Sequence, residues 1–268
     1  MIIMRLGILI LTFLWVAVVP VSAQTTYEIL HGEYLREFEE YLTARDEYLE
    51  DRSEYFKFQT LVARSEAIRT TQVFLKERSE LMIAYLVLMK ERLEQSNDLK
   101  EDELKGLILY INNEIDIMNN QLPLYDSANT LNDLVKLSSV IQKRYDVFVI
   151  NSFKIKALIV ASKVRSLRKT SNDLVGLTEE QVARIRKEGV LETTDLDRWL
   201  VDAPERLLFS ESNEITGLGI FMGAKAKDSV SNAPRLYATF LKSLRTSAQY
   251  LREANGLMLQ IVQGIRFR

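Results

Sequence analysis

Residues 33–60 form four tandem heptads, and each heptad opens with Glu-Tyr-Leu or Glu-Tyr-Phe. The tyrosines that recur at this interval are Tyr34, Tyr41, Tyr48 and Tyr55, and Tyr27 lies one heptad earlier. Because an α-helix turns about 100° per residue, side chains seven positions apart lie on nearly the same face. The repeat therefore predicts one long helix with a line of tyrosines along it, and it favours an all-α fold.

The apolar face of this helix indicates how many neighbours the helix contacts. The residue after each tyrosine is apolar, and these residues are Leu35, Leu42, Leu49 and Phe56. The third residues after the tyrosines are Glu37, Ala44, Asp51 and Phe58. This third position is a poor match to the apolar seam of a two-stranded coiled coil. We therefore expect the tyrosines and leucines to pack as one wedge between two neighbours of a bundle, rather than to form a ladder that binds carbohydrate or a partner.

The composition of the 268-residue chain also favours long helices. The chain has only ten glycines and four prolines, and 47% of its residues are hydrophobic. It has no cysteine, which excludes disulfides, thiolate zinc sites and a cysteine nucleophile. We predict four to six helices in an elongated multi-helix bundle, with long helices that pack in a coiled-coil-like manner.

Residues 1–23 have the features of a signal peptide. A positively charged start precedes an almost wholly apolar run at residues 6–19, and Val-Ser-Ala at residues 21–23 offers a small-residue cleavage site. We predict that the mature protein begins at Gln24 and is exported to the periplasm or the extracellular space. The alternative is that the segment remains as an uncleaved N-terminal anchor.

Capping residues and helix breakers predict the later elements. The second helix covers residues 66–95 and is capped by Ser65, the third ends at Pro123, and the fourth covers residues 128–170. A short helix over residues 179–188 follows, capped by Thr178 and ended by Gly189, and another helix starts at Thr194. A flexible elbow at Gly217, Gly219 and Gly223 then precedes the last helix, which starts near Asn232. Residues 147–156 also resemble a β-hairpin, but helical spacing on both sides favours a helix. We divide the mature chain into a long-helix bundle, residues 24–172, and C-terminal helices, residues 173–268, that complete or extend it.

Apolar patterns predict the core positions. Residues 81–89 are apolar on every face of their helix, which favours burial in the bundle over insertion into a membrane, because nine residues rise only about 14 Å. In the third helix the predicted seam consists of Leu104, Ile108, Ile111, Ile115, Met118 and Leu122. In the last helix it consists of Tyr237, Leu241, Leu244, Ala248, Leu251, Asn255, Met258, Val262 and Ile265.

The sequence contains no complete catalytic or metal-binding motif. His31 is the one histidine, and Glu28 precedes it as in the Glu-x-x-His motif of di-iron bundles. Those sites need the motif twice and two further glutamates, so a single copy does not suffice. We therefore predict no enzymatic activity, no catalytic, cofactor-binding or metal-binding residues, and no cofactor.

Charge is segregated between two segments. Residues 27–57 contain ten acidic and four basic residues, a net charge of −6, whereas residues 143–169 contain one acidic and eight basic residues, a net charge of +7. We expect the two segments to lie side by side or with facing rims. The residues expected to meet are Glu40, Glu47, Glu54, Lys154, Lys156 and Lys163. The rival hypothesis is that the basic segment binds an anionic surface, which its scattered lysines disfavour.

These patterns predict a non-enzymatic, exported structural or interaction protein that works through a helix surface. Its partner would be an unknown protein or envelope component, with self-association as another route, a membrane surface as a less favoured one, and no role for nucleic acid. One alternative is a membrane-active protein of the pore-forming type. Another is a ligand-binding sensor or an enzyme, for which the sequence shows no site.

Overall fold

The computed structural model describes residues 21–96, 98–99, 101–189, 194–223 and 230–267. These residues form six α-helices and no β-strand, which confirms the predicted all-α class. The helices are α1 (Val21–Phe58), α2 (Leu61–Glu94), α3 (Glu101–Ser127), α4 (Leu131–Glu188), α5 (Thr194–Met222) and α6 (Ala233–Phe267). Residues 1–20 of the predicted signal peptide lie outside the described residues.

The described chain folds as two compact units. The N-terminal unit contains residues 21–95 and 101–151, so it holds α1, α2, α3 and the first part of α4. The C-terminal unit contains α4 from Ser152 onwards, together with α5 and α6. The predicted border between residues 172 and 173 lies inside α4, within the C-terminal unit.

The turn between α1 and α2 is made by Gln59 and Thr60. Gln59 has a φ of 50°, and the backbone of Thr60 is extended, with φ −77° and ψ 160°. The hydroxyl of Thr60 accepts a hydrogen bond from the backbone N–H of Ala63 at 3.1 Å. Thr60 is therefore the N-cap of α2, and the predicted cap at Ser65 is wrong, because Ser65 lies inside this helix.

The junction between α3 and α4 also differs from the prediction. α3 continues past Pro123 for four residues. Proline leaves the carbonyl four residues earlier without its helical donor, and here that residue, Asn119, is exposed to water. The hydroxyl of Thr130 then caps α4, accepting from the N–H of Asp133 at 3.2 Å and donating to its carboxylate at 2.6 Å. The predicted start at residue 128 is therefore three residues early.

α4 is one continuous helix of 58 residues, whereas the sequence predicts a break before a separate short helix. The hydroxyl of Thr178 donates to the backbone carbonyl of Leu174 at 2.7 Å, so the predicted capping box at Thr178 is wrong. Val175 and Val182 are buried in the C-terminal unit, and this packing outweighs the local capping signal. The helix ends as predicted before Gly189, which has a φ of 65°.

The core of the N-terminal unit lies between α2, α3 and the first part of α4. Its buried members are Leu75, Tyr125, Ala128, Leu134 and Ile141. The hydroxyls of Tyr125 and Ser79 hydrogen-bond at 3.2 Å inside this core. Residues 81–89 are buried or half-buried throughout, in agreement with the prediction. Among the described residues, no helix is both long enough and apolar enough to cross a membrane.

Two segments carry sequence signals that can interrupt a helix, but both segments are helical. Residues 147–156 are helical as predicted, and Ile150 and Ile155 are buried. Gly217 and Gly219 lie inside α5, so the predicted elbow is wrong at these two positions. An added Cβ at Gly217 would lie 2.8 Å from the Cβ of Ser243 on α6. Gly217 is therefore a point of close helix approach rather than a flexible joint.

The buried face of α6 is rotated about the helix axis relative to the predicted buried face. Leu244, Leu251 and Met258 belong to both lines. The positions that alternate with them are Phe240, Ser247, Ala254 and Ile261, instead of the predicted Leu241, Ala248, Asn255 and Val262. A search for apolar residues alone misses this line because Ser247 is polar. Ser247 is nevertheless fully buried, and it donates to the carbonyl of Ser210 on α5 at 2.7 Å.

Candidate functional site

The tyrosine line of α1 packs against aromatic rings of α2. The ring centroids of Tyr34 and Tyr85 are 6.0 Å apart. Tyr41 and Tyr48 both contact Phe74, at centroid distances of 5.8 Å and 4.7 Å, and the Tyr48 and Phe74 rings are stacked with 7° between their planes. Each aromatic pair at such a distance stabilises the fold by about 0.5–1.5 kcal/mol beyond the contribution of burying its surface area. The tyrosines therefore serve as packing residues in the α1/α2 hairpin.

The rest of this seam includes two of the third positions, which match a coiled-coil seam poorly. Glu37 and Ala44, each three residues after a tyrosine, are only 8% and 5% exposed. Leu35 and Leu49, which were expected to be buried, are 46% and 47% exposed. The predicted wedge between two neighbours is therefore wrong. Rings from α2 such as Phe74 fill the seam, so α1 does not need a large apolar residue at the third positions.

A second line of residues, most of them apolar, faces away from the seam, and we call it the α1 stripe. It consists of Leu35, Phe38, Leu42, Arg45, Leu49, Arg52 and Phe56, which recur alternately three and four residues apart. Leu42 is half-buried, and the other apolar members are 39–62% exposed. At the adjoining turn Phe58, Leu61 and Val62 are 55%, 84% and 73% exposed. The hairpin thus presents a line of mostly apolar side chains to solvent, interrupted by Arg45 and Arg52.

Three carboxylates meet at the edge of the same seam, and we call them the carboxylate cluster. One carboxylate oxygen from each of Glu37, Glu40 and Glu77 lies within 4.8 Å of the other two. A shallow groove of about 310 Å³ is lined by Glu40 and Glu77, together with Glu39, Thr43, Ala44, Glu47 and Val73. The cluster is therefore partly buried yet open to water on one side.

The cluster has an unusual electrostatic environment. Burial raises the pKa of Glu37, the guanidinium of Arg36 opposes this, and the charge of Glu40 raises it further. Burial also raises the pKa of Glu77, and the nearby carboxylates, Glu80 first, add to the shift. Arg36 donates one hydrogen bond to Glu37 and another to Oε1 of Glu40 at 2.9 Å. Such a group of carboxylates gains from taking up either protons or a cation.

Two glutamates that no sequence motif marks are fully buried. Glu114 on α3 is 1% exposed and accepts from Arg144 Nε at 2.9 Å and Arg144 Nη2 at 2.5 Å. Glu214 on α5 is also 1% exposed and accepts from Arg165 Nε at 2.5 Å and Arg168 Nη2 at 2.7 Å. All three arginines belong to α4, so each unit holds one buried acid bound by the same helix.

These pairs bear on the predicted contact between the acidic and the basic segments. Three arginines of the basic segment, Arg144, Arg165 and Arg168, pair with these two buried glutamates. The contact expected between the basic segment and the acidic heptads stays a prediction. Helical spacing could have revealed Glu114, which lies between Ile111 and Met118 at the interval of the buried seam. Ile115, which was predicted to share that seam, is only half-buried.

His31 lies apart from the carboxylate cluster. Its ring stacks on that of Tyr27 with centroids 5.6 Å apart, and the guanidinium carbon of Arg92 lies 3.5 Å from the centroid of the Tyr27 ring. His31 is half-buried in this arrangement. Within the described residues, the carboxylate cluster is the one group of three or more histidine and acidic side chains close enough to share a metal ion, and it does not include His31.

Comparison with known proteins gives no relative from which a function could be transferred. No protein-family model, no curated protein and no solved structure matches the chain. The α1 stripe and the carboxylate cluster are therefore interpreted from their own geometry.

Proposed function

We propose that the protein is a non-enzymatic, exported structural protein that associates with a second copy of itself through the α1 stripe. The observation that carries this proposal is the exposure of Leu35, Phe38, Leu49 and Phe56 along one face of α1. A long exposed apolar line is uncommon on a monomer, because its burial releases free energy as soon as a complementary surface is present. A helix with the same spacing of apolar residues is complementary to it.

The charges on the stripe favour a second copy in antiparallel orientation. The first half of the stripe, residues 35–42, is apolar and is bordered by Glu39 and Asp46, whereas the second half contains Arg45 and Arg52. An antiparallel copy therefore places the arginines of each chain against the acidic border of the other. Within one chain Arg45 pairs with Asp46 at 2.8 Å, with both side chains exposed. Such a surface pair contributes little, so exchanging it for an intermolecular pair costs little.

One antiparallel register satisfies the apolar and the charged positions together. When Arg45 of one copy lies opposite Leu42 of the other, Phe38 lies opposite Leu49. In this register each Arg45 also lies beside Glu39 of the facing helix, one turn from Leu42. Phe38 and Leu49 thus meet twice across the two copies. Arg45 and Arg52 lie over Leu42 and Leu35 of the facing helix with their apolar stems, and Glu39 lies one turn from each of these leucines.

The oligomeric state of the purified protein tests the proposal. Analytical ultracentrifugation is expected to show a dimer for the unaltered chain and a monomer for the double variant Leu35→Asp and Leu49→Asp. The matched control is Leu109→Asp, which alters a leucine on α3 that is 71% exposed but does not belong to the stripe. This control is expected to remain dimeric. An unaltered chain that stays monomeric at the highest soluble concentration contradicts the proposal.

A charge-reversal experiment tests the antiparallel register. Replacing Arg45 and Arg52 by Glu is expected to weaken the dimer at least about tenfold, which is about 1.4 kcal/mol. Replacing Glu39 and Asp46 by Lys in the same chain is expected to recover much of this loss. If the four replacements together are no better than the first two, the register is wrong even though a dimer exists.

Export is supported by the signal-peptide features of residues 1–23. N-terminal sequencing of protein recovered from outside the cytoplasm is expected to begin at Gln24. Recovered protein that still begins at Met1 would instead indicate an uncleaved anchor, and protein found only in the cytoplasm would contradict export.

A further inference from the structure

We propose that Glu37, Glu40 and Glu77 bind one hard divalent cation, Ca²⁺ or Mg²⁺, at the edge of the α1/α2 seam. The cluster offers carboxylate oxygens only, and these are the ligands that Ca²⁺ and Mg²⁺ prefer. The site is distinct from the α1 stripe, because Glu37 and Glu40 do not share the face of α1 that carries the stripe. It therefore goes beyond the self-association proposed above.

The spacing of the carboxylate oxygens fits a shared ion. One oxygen from each residue lies within 4.8 Å of the other two. Calcium binds oxygen at about 2.4 Å, so two ligands on opposite sides of one ion are about 4.8 Å apart, and ligands at smaller angles are closer. Three side chains on two rigid helices can thus contact one ion, and water on the open side of the groove can complete its coordination.

The buried oxygens of the cluster give an independent reason to expect a ligand. Glu37 is 8% exposed, and its Oε2 atom is buried and accepts no hydrogen bond from any described residue. The same is true of the Oε2 atom of the half-buried Glu77. A buried carboxylate oxygen without a donor loses its hydration and gains nothing in return. Such atoms in a folded protein call for an ion, a proton or a water molecule as partner.

The surrounding charges strengthen the attraction for a cation. The charged groups that face Glu37 and Glu77 come from both α1 and α2, and they are Glu33, Arg36, Glu40, Lys76 and Glu80. Five glutamates in this group are therefore accompanied by only two basic residues. Arg36 uses its hydrogen bonds on Glu37 and Glu40 and leaves the second oxygen of Glu37 unpaired.

Protons compete with the cation for these oxygens. Burial raises the pKa of Glu37 and that of Glu77, so each holds a proton to a higher pH than an ordinary glutamate. A bound divalent cation requires both carboxylates to be ionised and must displace these protons. Cation affinity is therefore expected to increase with pH across the mildly acidic range.

Terbium luminescence provides a direct test with the full protein. Tb³⁺ replaces Ca²⁺ in oxygen sites and emits when a nearby tyrosine is excited, and Tyr34 and Tyr41 lie within one turn of Glu37 on α1. We expect a saturable signal with one Tb³⁺ per chain, which Ca²⁺ or Mg²⁺ reverses by competition. The cation that competes at the lower concentration identifies the preferred ligand. The affinity should fall as the pH is lowered.

Matched variants separate the cluster from the general acidity of α1. Glu37→Gln and Glu77→Gln should each weaken Tb³⁺ binding at least tenfold, and circular dichroism should show that their helix content is unchanged. The control is the double variant Glu50→Gln and Glu54→Gln, which removes two exposed acids from the same helix and should bind as the unaltered chain does. The proposal is overturned by the absence of saturable binding, or by equal losses in the cluster and control variants. Either result would leave a proton or a water molecule as the partner of each buried oxygen.

Discussion

The α1/α2 and α5/α6 hairpins each pack two long helices together, but the residues at their helix contacts differ. In α1/α2 the seam is aromatic, and Tyr48 stacks on Phe74 with centroids 4.7 Å apart. In α5/α6 the seam contains small residues beside the buried rings of Phe221 and Phe240, so that Gly217 lies against Ser243 and Ser247 is fully buried. Large rings fill the space between two helices, whereas small residues remove that space by letting the backbones approach. Similar helix pairs can thus depend on quite different substitutions.

The two buried glutamates extend the comparison between the units. Glu114 has a single arginine partner, Arg144, whose side chain is 37% exposed. Glu214 has two partners, and the side chains of Arg165 and Arg168 are 21% and 10% exposed. Loss of the acid therefore leaves more buried positive charge in the C-terminal unit than in the N-terminal unit.

The largest effect is expected from Glu214→Ala. This substitution should lower the free energy of unfolding of the C-terminal unit by about 3–5 kcal/mol, because Arg168 is left buried without a partner. Glu114→Ala should lower the free energy of unfolding of the N-terminal unit by a smaller amount, since water can reach the unpaired Arg144. Hydrogen exchange followed separately in the two units measures both losses. Equal losses would show that the exposure of the arginine does not govern the cost.

A smaller loss of stability is expected when an aromatic ring is removed from the α1/α2 seam. Phe74→Ala removes the ring that contacts both Tyr41 and Tyr48 and should cost about 2–4 kcal/mol, because Phe74 is only half-buried. The neighbouring residue Val73 is 37% exposed, and Val73→Ala serves as the control, with a loss below about 1 kcal/mol. Urea denaturation gives both values. Similar losses at the two positions would mean that the aromatic seam does not hold the hairpin together.

The small-residue seam should respond to an added methyl group. Gly217→Ala should destabilise the C-terminal unit by about 1–3 kcal/mol, because the new Cβ would overlap Ser243. Gly219→Ala meets no atom within 4 Å and should stabilise α5 by up to about 1 kcal/mol through helix propensity. The midpoint temperatures of thermal denaturation of the two variants should therefore shift in opposite directions from that of the unaltered protein. A shift in the same direction would contradict the close contact between α5 and α6.

The smallest effect concerns pH and the carboxylate cluster. A glutamate whose pKa is raised by folding stabilises the folded state fully below the ordinary pKa of 4.5, and this contribution is lost as the pH rises through the higher folded value. In the presence of a chelator, the hairpin should therefore lose stability as the pH rises above the ordinary glutamate pKa. Glu37→Gln should reduce this loss, as measured by thermal denaturation at several pH values. An unchanged pH profile in the variant would show that Glu37 does not cause it.

The helical period alone predicted much of the fold. The heptads that carry Tyr41 and Tyr48 identify a long helix, and the packing of this helix against another helix follows from the same spacing. The sequence could not identify the buried side of α1, because Glu37 and Ala44 are unremarkable until α2 supplies rings opposite them. Long-range contacts decide which of two possible faces is buried, and a single helix does not encode them.

The same limit explains the errors in α4 and at the buried acids. Thr178 carries a local capping signal, but Val175 and Val182 pack into the C-terminal unit and keep the helix continuous. Glu114 and Glu214 look like solvent-exposed acids until arginines of α4 reach them. The carboxylate cluster was missed for a related reason, since Glu77 joins Glu37 and Glu40 only when α2 folds back on α1.

The contact between Gly217 and Ser243 also restricts the order in which this pair can change over evolutionary time. A side chain at Gly217 is blocked while Ser243 retains its Cβ, since the two Cβ atoms would be 2.8 Å apart. Replacement of Ser243 by glycine costs only helix propensity, which is below about 1 kcal/mol. A lineage can therefore move the larger residue from α6 to α5 by substituting position 243 first, and the reverse order passes through a less stable protein.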